Sequence, residues 1–134
     1  MVSPIRTGAV NHVRLTVTDI NRSRAFYTEL LNFEVVSELS PTIVLVGNGS
    51  TLLVLAHAPE RPIAGDRFDP NRVGLDHLSF QVAHRDDLEQ AAGVLDERSI
   101  TRGEIGHYPD LGISVLPFAD PDGIQLELTA PYTA

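Results

Sequence analysis

One strand-like segment is written twice in this chain. Val10-Asn-His-Val-Arg-Leu-Thr-Val17 and Leu75-Asp-His-Leu-Ser-Phe-Gln-Val82 align without gaps, 65 positions apart. Each alternates apolar with polar residues, the period of a half-buried strand. In the first copy Val13, Leu15 and Val17 are expected on one face, with His12, Arg14 and Thr16 on the other. In the second, Leu78, Phe80 and Val82 oppose His77, Ser79 and Gln81. A repeat constrains the fold more tightly than local propensity does, because two like segments imply two like modules.

The residues behind each copy point to the same duplication. Asp19 is a candidate N-cap for a helix on which Ser23, Phe26, Tyr27, Leu30 and Leu31 recur at helical spacing. In the second half Asp86 and Glu89 resemble a capping box, ahead of a stripe of Leu88, Ala91, Ala92 and Leu95. Three turn-punctuated, strand-like stretches come next in each half: residues 33–39, 42–46 and 51–57, then 101–106, 112–118 and 124–129. The order is strand, helix and three strands, twice over. The expected fold is therefore α+β, a single domain of two βαβββ modules forming a partly closed β-cup. The modules cover about residues 8–58 and 75–131, and a Pro-, Gly- and charge-rich linker covers about 59–74.

Composition removes several kinds of chemistry. The chain of 134 residues has no cysteine and no lysine, which excludes a disulfide framework, a thiolate ligand, a cysteine nucleophile and Schiff-base catalysis. A formal charge of −8 argues against nucleic acid, since phosphate binding needs clustered positive charge. No apolar run approaches the roughly 18 to 20 residues that span a bilayer, and the first eight residues lack the apolar core of a signal peptide. The expectation is a cytoplasmic protein with no membrane and no nucleic-acid partner.

In the last strand Ile124, Leu126 and Leu128 alternate with Gln125, Glu127 and Thr129. If the apolar rows pack on the helices, the polar rows share the concave face, which then carries His12, His77 and Glu127, each on a strand. Two imidazoles and one carboxylate suit a divalent ion such as Fe2+, Mn2+, Zn2+ or Ni2+. Three protein ligands leave positions open for water or substrate, as a catalytic metal requires. The alternative is a polar cup that holds no ion. Arg14 shares the inferred face and either meets an anionic substrate group or neutralises a carboxylate. Gln81 and Gln125 are further candidate pocket residues.

The paired modules, the run Val17-x-Asp19-x-x-x-Ser23-x-x-Phe26-Tyr27 behind His12, and Asp120-Pro121-Asp122-Gly123-x-x-x-Glu127 resemble the vicinal oxygen chelate superfamily. That group includes glyoxalase I, extradiol dioxygenases, fosfomycin-resistance enzymes and bleomycin-resistance proteins. The resemblance covers nearly the whole chain. It implies the glyoxalase/bleomycin resistance/dihydroxybiphenyl dioxygenase-like fold, with a metal in the cup that chelates neighbouring substrate oxygens. It also places His12, His77 and Glu127 at three ligand positions, and it implies a homodimer whose cups are built across the subunit boundary, with a cup closed within one chain as the alternative.

Against that pattern the chain departs in informative ways. Glyoxalase I-like members carry a fourth ligand, a glutamate that also moves protons, in the last strand of the first module. Here that position is Leu53, Val54 or Leu55, none of which binds metal. The extradiol ligand set agrees, but Pro117 replaces the tyrosine of that group's supporting motif, leaving His107, beside Tyr108, as a candidate acid or base or a solvated loop residue. Fosfomycin-resistance enzymes resemble one another in a lysine that this chain lacks. The expected function is a metal-dependent enzyme of the glyoxalase/dioxygenase group, an oxidoreductase or lyase acting on a small oxygen-bearing molecule. A non-catalytic small-molecule binder of the bleomycin-resistance type is the alternative. His57 and His84 are expected to be exposed.

Overall fold

The computed structural model describes residues 3–57, 60 and 62–133. The chain divides into two compact units, Met1–Ala64 and Gly65–Ala134. The expected linker straddles that division, and its Pro59 and Arg61 lie outside the described residues. The first unit contains β1 (Val13–Val17), α1 (Ile20–Leu30), β2 (Glu34–Ser40), β3 (Ile43–Gly47) and β4 (Leu52–His57). The second contains β5 (Leu78–Gln81), α2 (Arg85–Glu97), β6 (Gly106–Tyr108), β7 (Ile113–Ala119) and β8 (Gln125–Pro131). The protein is α+β, built of two βαβββ units. Among the described residues no helix is long and apolar enough to cross a membrane.

The two sheets share one topology. Their strand orders are β1-β4-β3-β2 and β5-β8-β7-β6. In each, the first strand runs parallel to the last, and the others pair as antiparallel neighbours. The apolar rows have the expected parity. Leu15 and Val17 are buried beside Leu53, Leu55, Val44 and Val46 in the first unit, while Leu126, Leu116 and Phe118 are buried in the second. Helix α1 packs on β3 and β4, and α2 packs on β7 and β8, so one face of each sheet is covered by its own helix.

Local chemistry starts each helix. Asp19 is the N-cap of α1, its Oδ1 accepting the backbone N–H of Arg22 at 3.0 Å. This satisfies a donor that the first helical turn cannot pair. For α2 the cap lies two residues earlier than the sequence suggests. His84 is the N-cap, and its backbone N–H donates to Asp87 Oδ2 at 2.9 Å. Asp86 and Asp87 then occupy the first turn, where the helix dipole favours negative charge.

Three strand assignments are also corrected. Both β1 and β5 begin one residue after their histidine, so His12 and His77 precede their strands instead of sitting on them. The stretch expected as a strand over 101–106 is broken. Arg102 makes an isolated bridge to Phe118 and Gly103 N–H donates to Pro117 O at 2.9 Å, but continuous pairing begins only at Gly106. Gly103 is needed at that crossing, because an added Cβ would lie 2.7 Å from Pro117 Cγ.

Candidate functional site

The site in the second unit is built from β8 outwards. A tight turn delivers that strand. Asp120, which is buried, accepts the N–H groups of Asp122 and Ile124 on Oδ1, each at 2.9 Å. Gly123 then takes a φ of 79°, a left-handed conformation that glycine adopts without steric cost. Arg67 packs against it, with a guanidinium nitrogen 2.8 Å from where a Cβ would stand. The chain leaves the turn with Ile124 and Leu126 buried, and Gln125 and Glu127 on the opposite face.

Cross-strand register fixes which residues share the face with Glu127. Ser79 on β5 and Pro117 on β7 stand directly beside it, Gln81 and Val115 flank Thr129, and Ala119 flanks Gln125. Thr129 Oγ1 donates to Glu127 Oε1 at 3.4 Å and is itself hydrogen-bonded to Ser79 Oγ. His77 reaches the same carboxylate, its Nε2 lying 3.7 Å from Glu127 Oε1, while its Nδ1 is 2.7 Å from Asp76 Oδ1. The side chain of Glu127 is 19 % exposed and that of His77 is 43 % exposed. Both face a hollow of about 480 Å³, lined also by Asp76, Gln125, Gly103 and Pro117.

That donor pair fits a divalent cation. Ligand atoms about 2.1 Å from one ion lie roughly 3.0 to 3.4 Å apart, so the observed 3.7 Å needs only a small closure. Arg102 brings no free charge to the rim. Its Nε and Nη2 donate to the two Asp96 oxygens at 2.8 and 2.9 Å, and its Nη1 donates to Gly103 O at 3.1 Å. Those hydrogen bonds hold the Asp96 carboxyl below its ordinary pKa and raise that of the guanidinium.

The remaining expected residues divide clearly. His12 lies in the first unit, with Nδ1 2.7 Å from Asn11 Oδ1. Among the described residues no group of three or more histidine and carboxylate side chains stands ready-made around one point, so His77 and Glu127 are the members that come together. Arg14 is exposed on β1 and is level with Val54 on β4. Gln125 lines the hollow, whereas Gln81 lies further along the same face, opposite Thr129.

His107 takes the other side of the sheet. It pairs with Ser114, which pairs with Ala130, and that row faces the helix. Its Nδ1 is 2.8 Å from the buried Ser114 Oγ, and its Nε2 accepts from Arg85 at 3.4 Å. A side chain held there does not share a face with Glu127. His57 is half-buried, with Nδ1 3.0 Å from the carbonyl oxygen of Val17, and His84 is exposed. Residues missed from sequence include Asp76, Asn11, Ser79 and Thr129. The signal for the first two was present, since both precede their histidine at the same repeat offset.

Register also resolves the uncertain fourth position. Arg14 pairs with Val54 as Ser79 pairs with Glu127, so Val54 is the first unit's counterpart of the carboxylate.

Known proteins agree with this architecture. The chain is 32 % identical over 126 residues to the protein YwkD of Bacillus subtilis, covering 90 % of this chain and 94 % of that one. It is 30 % identical over 132 residues to a mitochondrial methylmalonyl-CoA epimerase of Bos taurus, covering 90 % and 73 % of the two chains. A crystal structure of a glyoxylase/bleomycin resistance protein/dioxygenase domain from Frankia superposes with a TM-score of 0.80 at 29 % identity, over 96 % of both chains. The description "Glyoxalase/Bleomycin resistance protein/Dioxygenase superfamily" matches residues 9–128, and the chain belongs to that superfamily.

Proposed function

We propose that the protein is a divalent-metal-dependent enzyme acting on a small organic molecule through two adjacent oxygen atoms, with His12, His77 and Glu127 as the protein ligands. The observation that carries this reading is the approach of His77 Nε2 to Glu127 Oε1, 3.7 Å apart over an open hollow. His12 enters by its repeat equivalence to His77 and by the matching contact on its Nδ1. A metal held by this set supplies a Lewis acid that lowers the cost of negative charge on the substrate oxygens.

The chain's own residues do the rest. Thr129 steadies the Glu127 carboxylate. Gln125, beside it on the hollow, offers an amide that orients a polar substrate group, and Pro117 forms an apolar wall. Val54 provides no base where Glu127 has its counterpart, which disfavours chemistry that needs a second liganding carboxylate. Similarity to an enzyme named methylmalonyl-CoA epimerase supports a carbonyl-bearing substrate.

Metal analysis of protein purified without chelator or a nickel affinity tag tests the reading. Near-stoichiometric divalent metal is the expected outcome, and metal-free protein that also fails to bind added iron, manganese, zinc or nickel overturns it.

The same reading takes the protein to be a homodimer whose sites are shared between chains, the first unit of one supplying His12 to the second unit of the other. Mixing His12→Ala with His77→Ala protein after proven subunit exchange restores metal binding towards one site per mixed dimer. No recovery refutes the shared arrangement.

A further inference from the structure

Each candidate histidine ligand is preceded by a residue that holds its ring. Asn11 Oδ1 lies 2.7 Å from His12 Nδ1, and Asp76 Oδ1 lies 2.7 Å from His77 Nδ1. The two contacts join the same atoms at repeat-equivalent positions, one in each unit. A carboxylate oxygen and an amide oxygen only accept hydrogen bonds, so in both rings Nδ1 is the nitrogen that carries the proton. The lone pair is then left on Nε2, the atom that faces Glu127 in the second unit.

We propose that Asn11 and Asp76 are positioning residues that lock His12 and His77 in the Nδ1–H tautomer with Nε2 free to ligate. This rests on the metal reading of the site. Each acceptor orients its ring so that Nε2 is presented as the ligating atom. The Asp76 carboxylate is 70 % exposed, so water screens its charge.

Two measurements test the proposal. In metal-free, 15N-labelled protein at a pH where the imidazoles are neutral, long-range proton–nitrogen correlations report which ring nitrogen is protonated. Both histidines are expected as Nδ1–H. Asn11→Ala should release only His12 towards Nε2–H, Asp76→Ala should release only His77, and Asp76→Asn should keep the lock. A native His77 in the Nε2–H form, or one unmoved by Asp76→Ala, overturns the proposal.

Chelator competition then reads the consequence for metal. Asp76→Ala is expected to weaken binding by about 10- to 100-fold, in the range usual for such outer partners. Asp76→Asn should weaken it less. An affinity unchanged in Asp76→Ala refutes the positioning role even if the tautomer shifts. A parent protein that binds no divalent metal overturns the function assigned to both residues, and the tautomer result then separates that failure from a failure of the lock itself.

Discussion

The two units are the same backbone carrying different chemistry. Their strand orders match, their parallel pairs keep the same register, and each helix covers the same face of its sheet. On the uncovered face the first unit sets Arg14, Val54 and Leu45 side by side, where the second sets Ser79, Glu127 and Pro117. Duplication thus preserved the histidine before the first strand in both units, while only one unit has a carboxylate on the row two residues further along. Backbone register is held by many hydrogen bonds and apolar contacts, so it tolerates a change at one row of the uncovered face. The side chains on that row are where the two units differ in candidate chemistry.

The largest expected effect breaks this comparison at its centre. Glu127→Ala should lower metal affinity by more than about a hundredfold, exceeding the loss typical of outer partners. The counterpart Val54→Ala should leave affinity unchanged and cost only about 1 to 2 kcal/mol of stability from lost apolar burial. Equal metal content in the two variants, measured by elemental analysis after desalting, would remove the functional distinction between the units.

A smaller effect sharpens the same point. Val54→Glu gives the first unit the carboxylate it lacks. Val54 is 9 % exposed, so without metal the variant should lose about 2 to 4 kcal/mol, the cost of burying an unpaired charge. If the sites are shared as proposed, divalent metal should then raise its Tm by more than it raises that of the parent. Identical metal-induced shifts in thermal scans would show that a carboxylate at position 54 adds nothing to metal binding.

Much of this was legible in the sequence, and the rest has physical reasons. The repeat offset, the alternation in β1, β5 and β8 and the Asp19 cap arise from local periodicity and turn chemistry, which act over a few residues. The face taken by His107 was not legible, because a three-residue edge strand takes its register from its neighbour β7. The break before it comes from Gly103 crossing Pro117 and from Arg102 turning to Asp96, both tertiary contacts. The α2 cap was misplaced because three successive polar residues, Arg85, Asp86 and Asp87, come after His84, and only the fold shows which carboxylate reaches back. Val54 could not be chosen over Leu53 or Leu55 by alternation, since all three are apolar and buried.

The smallest expected effect concerns how the two helices fill equivalent slots. At the repeat offset, Ser23 and Tyr27 on α1 correspond to Leu88 and Ala92 on α2, and all four are buried. One helix places the small residue first and the large one a turn later; the other reverses them. Volume is kept within the pair, as close packing demands. The exchange leaves a cost in the first unit, because Ser23 Oγ is buried and meets no hydrogen-bond partner among the described residues. An unsatisfied buried hydroxyl costs about 1 to 3 kcal/mol, and alanine is the better helix former. Ser23→Ala should therefore stabilise the protein by about 1 kcal/mol, raising Tm by roughly 3 to 5 °C. A lower Tm would mean that the hydroxyl has a partner in solution. A double-mutant cycle carries the test further. Ser23→Leu alone should overpack the slot and cost about 1 to 3 kcal/mol, while Tyr27→Ala alone should open a cavity costing about 3 to 5 kcal/mol. Together they recreate the order found in α2, so the double variant should recover at least about 1 kcal/mol relative to the sum. Strict additivity in denaturant unfolding would show that the two positions do not share volume, and the correspondence between the helices would then extend to their backbones only.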